Sequence, residues 1–67
     1  MERDTQATLH RRKLGRVYRM IASGPIEELI GQFQSLPESK KSEYFIMVDG
    51  KNYGSQEIEG LARELNI

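Results

Sequence analysis

The segment that most constrains the fold is residues 44–48, Tyr-Phe-Ile-Met-Val, in which every side chain is apolar. Aromatic and β-branched residues favour a strand, and the Asp49-Gly50 dipeptide that follows favours a two-residue hairpin turn. Because side chains alternate between the two faces of a sheet, this strand would be apolar on both faces. A chain of 67 residues buries only roughly 60% of its unfolded surface. The sequence therefore predicts a hairpin over residues 43–53 that is difficult for one chain to cover.

Three amphipathic helices are predicted around this hairpin. Their apolar residues recur every three to four positions, which places them on one face of each helix. The predicted helices span residues 5–22, residues 25–36 and residues 55–65. Gly24-Pro25 ends the first helix, and Pro37 follows the second. The sequence thus predicts a single small α+β domain over residues 1–67, in the order α-α-β-β-α and without an internal repeat.

One glycine lies inside each predicted helix, at Gly15, Gly31 and Gly60. A glycine in a helix interior costs about 1 kcal/mol relative to alanine. Close approach of a neighbouring helix or strand would explain these positions, and tolerance in a marginally stable protein is the alternative. We expect close contacts at all three.

The second apolar face of the hairpin predicts a homodimer. Two chains would join their hairpins into one four-stranded sheet, or would exchange the hairpin and the last helix across the polar segment 37–42. A monomer that leaves part of the apolar strand exposed is the alternative. The interface is predicted to consist of Tyr44, Phe45, Ile46, Met47, Val48, Ile30, Phe33 and Leu65.

The charges are segregated along the chain although their sum is zero. Residues 1–23 hold six basic and two acidic side chains, and residues 24–67 hold four basic and eight acidic ones, giving +4 and −4. In the first predicted helix, Arg12, Arg16 and Arg19 would share the face opposite the apolar residues. Such a basic face is a candidate contact for nucleic-acid phosphates. A solvated surface that the acidic remainder neutralises is the alternative.

The last predicted helix carries a short sequence pattern. The pattern is Ile-x-x-Leu-Ala-x-x-Leu-x-Ile, formed by Ile58, Leu61, Ala62, Leu65 and Ile67. It resembles the first helix of helix-turn-helix DNA-binding domains. In that family a second helix follows and reads the major groove, whereas the resemblance here covers residues 55–67 alone. We interpret the segment as an ordinary amphipathic helix.

Composition and motifs favour a protein without catalytic activity. There is no cysteine and only one histidine, His10, so we expect no disulfide, metal site or cofactor. No run of about 20 apolar residues and no secretory signal is found, which predicts a cytoplasmic protein without a membrane span. No nucleophile lies beside a base. We expect a homodimeric interaction or regulatory module, with a second protein as a further candidate partner and nucleic-acid binding as the alternative function.

Overall fold

The computed structural model describes residues 1–13, 15 and 17–67, so that Leu14 and Arg16 lie outside the described residues. It shows a small α+β domain in which a four-stranded antiparallel sheet packs against helices. The strands are β1 (Gln6–Arg12), β2 (Tyr18–Pro25), β3 (Tyr44–Val48) and β4 (Lys51–Tyr53). The helices are α1 (Ile26–Gln34), α2 (Glu38–Lys41) and α3 (Ser55–Glu64). The order along the chain is β-β-α-α-β-β-α.

The first two strands correct the prediction of a helix over residues 5–22. In β1, Ala7 and Leu9 are buried, whereas Gln6 and Thr8 are more exposed, which is the alternation of a strand. A helix would have placed Leu9 on its polar side, away from Ala7, while strand pairing buries both residues on one face. Gly15, with φ of +66°, lies in the turn that joins the two strands, a conformation that glycine adopts without steric cost.

The strand order in the sheet is β2-β1-β3-β4, and every neighbouring pair is antiparallel. The central pairing aligns Leu9 with Ile46 and His10 with Phe45. The apolar strand β3 is therefore an interior strand, with β1 on one side and β4 on the other. Its return turn contains Asp49 and Gly50, both at positive φ, as a type I′ hairpin turn requires.

Helices α1 and α3 pack on the same face of the sheet and form one core with it. Helix α1 begins immediately after β2 and lies over β1 and β2, and α3 follows β4 and lies over β3 and β4. The core consists of Ala7, Leu9, Ile26, Leu29, Ile30, Phe33, Ile46, Val48, Ile58, Leu61 and Ala62. The helix-turn-helix-like pattern of residues 55–67 thus has a packing explanation, because three of its apolar residues belong to this core.

A single chain covers both faces of β3. Ile46 and Val48 are buried beneath the helices, and Phe45, on the opposite face, is only 3% exposed. Met47 is half-buried. The argument that a second copy must cover this strand therefore fails. Strand β1 pairs with β3, and side chains of the hairpin of β1 and β2 contact Phe45 on the face away from the helices. The residues predicted for a dimer interface are buried or half-buried within one chain, including Ile30, Phe33 and Leu65.

The expected close contacts at the helical glycines are absent. A Cβ atom added to Gly31 or to Gly60 would meet no heavy atom within 4 Å. Gly50 differs, because its φ of +79° is a conformation that L side chains rarely adopt. The two helical glycines are therefore tolerated positions without a packing role.

We predict that Gly31→Ala and Gly60→Ala each raise the free energy of unfolding, by about 0.5–1 kcal/mol, because alanine loses less conformational entropy in a helix. Denaturant unfolding followed by circular dichroism measures the change. Gly50→Ala is the matched control, and it should lower stability because the added Cβ strains the turn. A loss of stability in both helical variants would contradict the prediction, because it would show that a neighbouring group packs against these glycines.

Candidate functional site

The sheet face opposite α1 and α3, here called the open face, carries no helix in the part of the chain that the structure describes. Successive side chains of a strand point to opposite faces of the sheet. The residues adjacent in sequence to the core residues Leu9 and Ile46 therefore lie on the open face. The cross-strand pairs His10–Phe45, Thr8–Met47 and His10–Met20 are consistent with this assignment. The open face contains Thr8, His10, Arg12, Tyr18, Met20, Phe45, Met47 and Asn52.

Three aromatic rings form the centre of the open face. The rings of His10 and Phe45 stack, with centroids 5.0 Å apart and planes 13° apart. Tyr18 meets both rings edge-on, with centroids 5.4 Å from each. These are the offset and edge-to-face geometries that aromatic pairs prefer. The cluster explains how Phe45 is buried on a face that no helix covers.

The outer surface of this cluster is formed by Arg12 and Tyr18. The Arg12 guanidinium carbon lies 5.5 Å from the centroid of the Phe45 ring, within the range of a cation–π interaction. Tyr18 is 53% exposed, although its ring contacts two others. The open face therefore presents to solvent a planar cation and an aromatic ring whose positions are fixed by buried neighbours.

His10 is the one buried polar side chain among the described residues. Its Nε2 lies 2.8 Å from Thr8 Oγ1, while its Nδ1 is buried without a hydrogen-bond partner. Burial removes water from the imidazole, which disfavours the charged form and lowers the pKa of His10 below its ordinary value of 6.5. His10 is therefore neutral at pH 7 and acts as an aromatic support within the cluster.

Basic side chains collect at the end of the molecule where β1 turns into β2. Three ion pairs between described residues lie at this end, and the distance from the basic nitrogen to the carboxylate oxygen is 3.1 Å in Arg11–Glu43, 3.9 Å in Lys40–Glu43 and 3.2 Å in Lys41–Glu38. Arg12, Lys13 and Arg19 are exposed and form no ion pair with the residues that the structure describes. This end is consequently positive, whereas most of the acidic residues lie elsewhere.

An open groove of about 720 Å³ lies at this basic end, beside the aromatic cluster. It is lined by Arg11, Arg12, Lys13, Val17, Ser42 and Glu43. The backbone N–H of Arg12 donates to the Glu43 carbonyl at 2.7 Å, which joins the hairpin of β1 and β2 to the residue before β3. A ligand here would meet the positive charge of Arg12 and Lys13 first.

Two of the three arginines predicted to contact nucleic acid, Arg12 and Arg19, lie on different faces of the sheet. Arg12 pairs with Tyr18 across the hairpin and lies on the open face, whereas Arg19 pairs with Arg11 and lies on the face that the helices cover. Arg16 lies outside the described residues. Of the residues in this cluster, only Arg12 was named from the sequence as a candidate contact, and Tyr18 and His10 were not among the candidates.

Other classes of site receive no support from the described part of the chain. No group of three or more His, Cys, Asp or Glu side chains that could hold a metal ion occurs there. No helix of residues 1–13, 15 and 17–67 is long and apolar enough to cross a membrane. Comparison with protein-family models, with curated proteins and with solved structures gave no match for this chain.

We predict that the protein loses stability as the pH falls below about 6.5. The unfolded chain then takes up a proton at His10 that the folded chain, with its lowered pKa, does not, and the loss continues until the pH reaches the pKa of the folded state. Thermal melting between about pH 7.5 and pH 5.5 measures the effect. The control His10→Gln removes the titrating group, so its melting temperature should change less over this range.

Nuclear magnetic resonance titration of the His10 ring protons gives the pKa directly. A value at or above 6.5, or the same pH dependence of melting in His10→Gln, would contradict the prediction.

Proposed function

We propose that this protein is a non-catalytic binding module for single-stranded nucleic acid and that the open face is its binding surface. The observation that carries the proposal is the pairing of the exposed Tyr18 ring with the Arg12 guanidinium over the buried rings of His10 and Phe45. A cytoplasmic location is part of the proposal, as the sequence predicted.

Stacking is the first argument for this ligand. Unpaired bases stack on aromatic rings and on arginine planes, and single-strand RNA modules place such groups on the open face of a four-stranded sheet. Tyr18 offers an exposed ring, and Arg12 offers a guanidinium plane that Phe45 holds in place. Because every base has an aromatic face, we expect binding with little sequence preference.

Charge is the second argument. Arg12 and Lys13 border the groove without an acidic partner among the described residues, so both are available to phosphate oxygens. The acidic residues of α1 and α3, such as Glu28 and Glu59, would repel a polyanion from the helical side of the molecule. The strand would therefore approach the open face and enter the groove at the basic end.

The size of the sheet limits the binding site. Four strands about 4.8 Å apart give a face about 15 Å wide, and sheets of this size stack two or three bases. We expect a short site and moderate affinity that weakens steeply as the salt concentration rises. A duplex keeps its bases stacked internally and would contact this face through its backbone alone.

A homodimer stays a second proposal, since the sequence predicted self-association. In the order β2-β1-β3-β4 the strand β3 is paired on both sides, so two hairpins of β3 and β4 could join side by side only at the short outer strand β4. An exchange of β3, β4 and α3 across residues 37–42 would keep the same β1–β3 pairing between two chains. A dimer that forms without such an exchange would use an outer edge of the sheet, at β2 or at β4.

We predict that labelled single-stranded oligonucleotides of DNA and of RNA bind at low salt and that the duplex binds more weakly. Tyr18→Ala and Arg12→Ala should each weaken binding about fivefold to a hundredfold, the range found when a stacking side chain is removed. Fluorescence anisotropy at several salt concentrations measures both the affinity and the salt slope.

Two further variants separate stacking from charge. Tyr18→Phe should keep most of the affinity, and Arg12→Lys should lose part of it because lysine keeps the charge but not the plane. Arg63→Ala, at an exposed position of α3, is the matched control and should bind like the unmodified chain. Absence of binding at low salt, equal binding by Tyr18→Ala, or preference for duplex would overturn the proposal.

A further inference from the structure

The two edges of the sheet differ in how well they are protected from pairing with another strand. Edge strand β4 has three residues and carries Lys51, and short length and lysine both discourage pairing. Edge strand β2 has eight residues, Tyr-Arg-Met-Ile-Ala-Ser-Gly-Pro, of which Arg19 is the only charged one. A β-bulge opposite Leu9 and His10 interrupts the pairing of β2 with β1, and Pro25 has no N–H group. Elsewhere along β2 the outer N–H and C=O groups are available.

Strand β2 and the residue before it carry four of the six large apolar side chains that are exposed in the described part of the chain. Tyr18, Met20 and Ile21 are 53%, 57% and 48% exposed, and Val17, just before the strand, is 61% exposed. Exposed apolar residues are ordinary when scattered, but a contiguous group is typical of an interaction surface. Here the group lies along an edge strand of eight residues that contains a single charged residue.

The charges beside β2 have opposite signs at its two ends. Arg19 lies near the start of the strand, on the face that the helices cover. Glu28, in the acidic first turn of α1, lies at the other end, because a Cβ atom added to Gly24 would be 3.6 Å from Glu28 Oε2. Arg19 and Glu28 are both exposed. A second β2 strand running in the opposite direction would therefore meet complementary charges.

We propose that a second copy of this chain pairs with the β2 edge in antiparallel orientation, with a two-fold axis between Ile21 and Ala22. Arg19 then lies opposite the partner's Gly24 and beside the partner's Glu28, and the same contact repeats across the axis. The two sheets become one sheet of eight strands. The occupant is a second copy because the edge is complementary in charge to itself.

The facing of the side chains agrees with this register. Arg19 pairs with Arg11 and Gly24 pairs with Ala7, and the β-bulge between them at Ile21 places both positions on the helical face although they are five residues apart. Met20 and Ser23, opposite each other in the dimer, both belong to the open face, since their β1 partners are His10 and Thr8. A parallel arrangement would instead bring the two basic ends together, which like-charge repulsion disfavours.

The charge contacts that direct this self-association are separate from the stacking residues, although Tyr18 would lie opposite the partner's Pro25 at the end of the paired strands. Arg19 and Glu28 lie away from the open face, so their variants test the dimer without altering the stacking residues. If both proposals hold, the two open faces form a continuous surface, and a single strand longer than one site would bind the dimer more tightly than the monomer.

The test is the oligomeric state of the full chain, measured by sedimentation velocity and by size-exclusion chromatography with light scattering. We expect the mass to rise with concentration from 7.7 kDa towards twice that value at low salt. Arg19→Glu and Glu28→Arg should each weaken the dimer at least about tenfold, because each change replaces two attractive contacts by two repulsive ones. Far-UV circular dichroism and melting temperatures check that each variant is folded.

Mixing the two variants is the decisive experiment. Arg19→Glu and Glu28→Arg should each be mainly monomeric alone but should form a heterodimer when mixed, since one charge pair then keeps its original signs and the other is attractive with the signs exchanged. In the double variant both charge pairs are attractive with their signs exchanged, so it should recover the homodimer. Lys51→Glu on β4 and Glu59→Arg on α3 are matched controls and should dimerise like the unmodified chain.

A chain that stays monomeric at high concentration and low salt would overturn the proposal. Dimerisation that all four single variants leave unchanged would do the same, because it would place the interface elsewhere. Absence of nucleic-acid binding by a chain that still dimerises would leave the dimer supported, and binding by a chain that stays monomeric would leave the nucleic-acid proposal supported, so the two proposals fail separately.

Discussion

The antiparallel pairing of β1 with β3 is the interaction on which the rest of the structure depends. It places Leu9 beside Ile46 under the helices and His10 beside Phe45 on the opposite face. A shift of this register by one residue would move every side chain of the strand to the other face. The core and the aromatic cluster are therefore determined together, and neither can change its residues without disturbing the other.

The same sheet separates two kinds of surface. The open face combines Tyr18 with Arg12 above buried rings, while the outer edge of β2 combines apolar side chains with charges of opposite sign at its ends. Since strand residues alternate, Tyr18 and Arg19 are neighbours in the chain yet belong to different surfaces. Under the two proposals, a chain with zero net charge would offer a basic end to a polyanion and a self-complementary edge to its own copy.

Sequence reasoning identified the apolar strand, its tight turn and the two long helices, because each has a strong local signal. It failed on residues 6–25, where apolar residues at helical spacing hid the shorter alternation of Ala7 and Leu9 with Thr8 and His10. Arg12 was named as a candidate phosphate contact because of its charge alone. Tyr18 and His10 could not be found, because their contact with Phe45 depends on a pairing between distant parts of the chain.

The sheet consists of two similar halves, since β1, β2 and α1 are followed by β3, β4 and α3 in the same order. Each half contains a hairpin whose strands are close in the chain and form local contacts rapidly. The β1–β3 pairing, by contrast, joins the halves and requires closure of the loop that contains α1 and α2. We expect the docking of two preformed hairpins, and not the formation of either one, to limit the speed at which this protein reaches its native state.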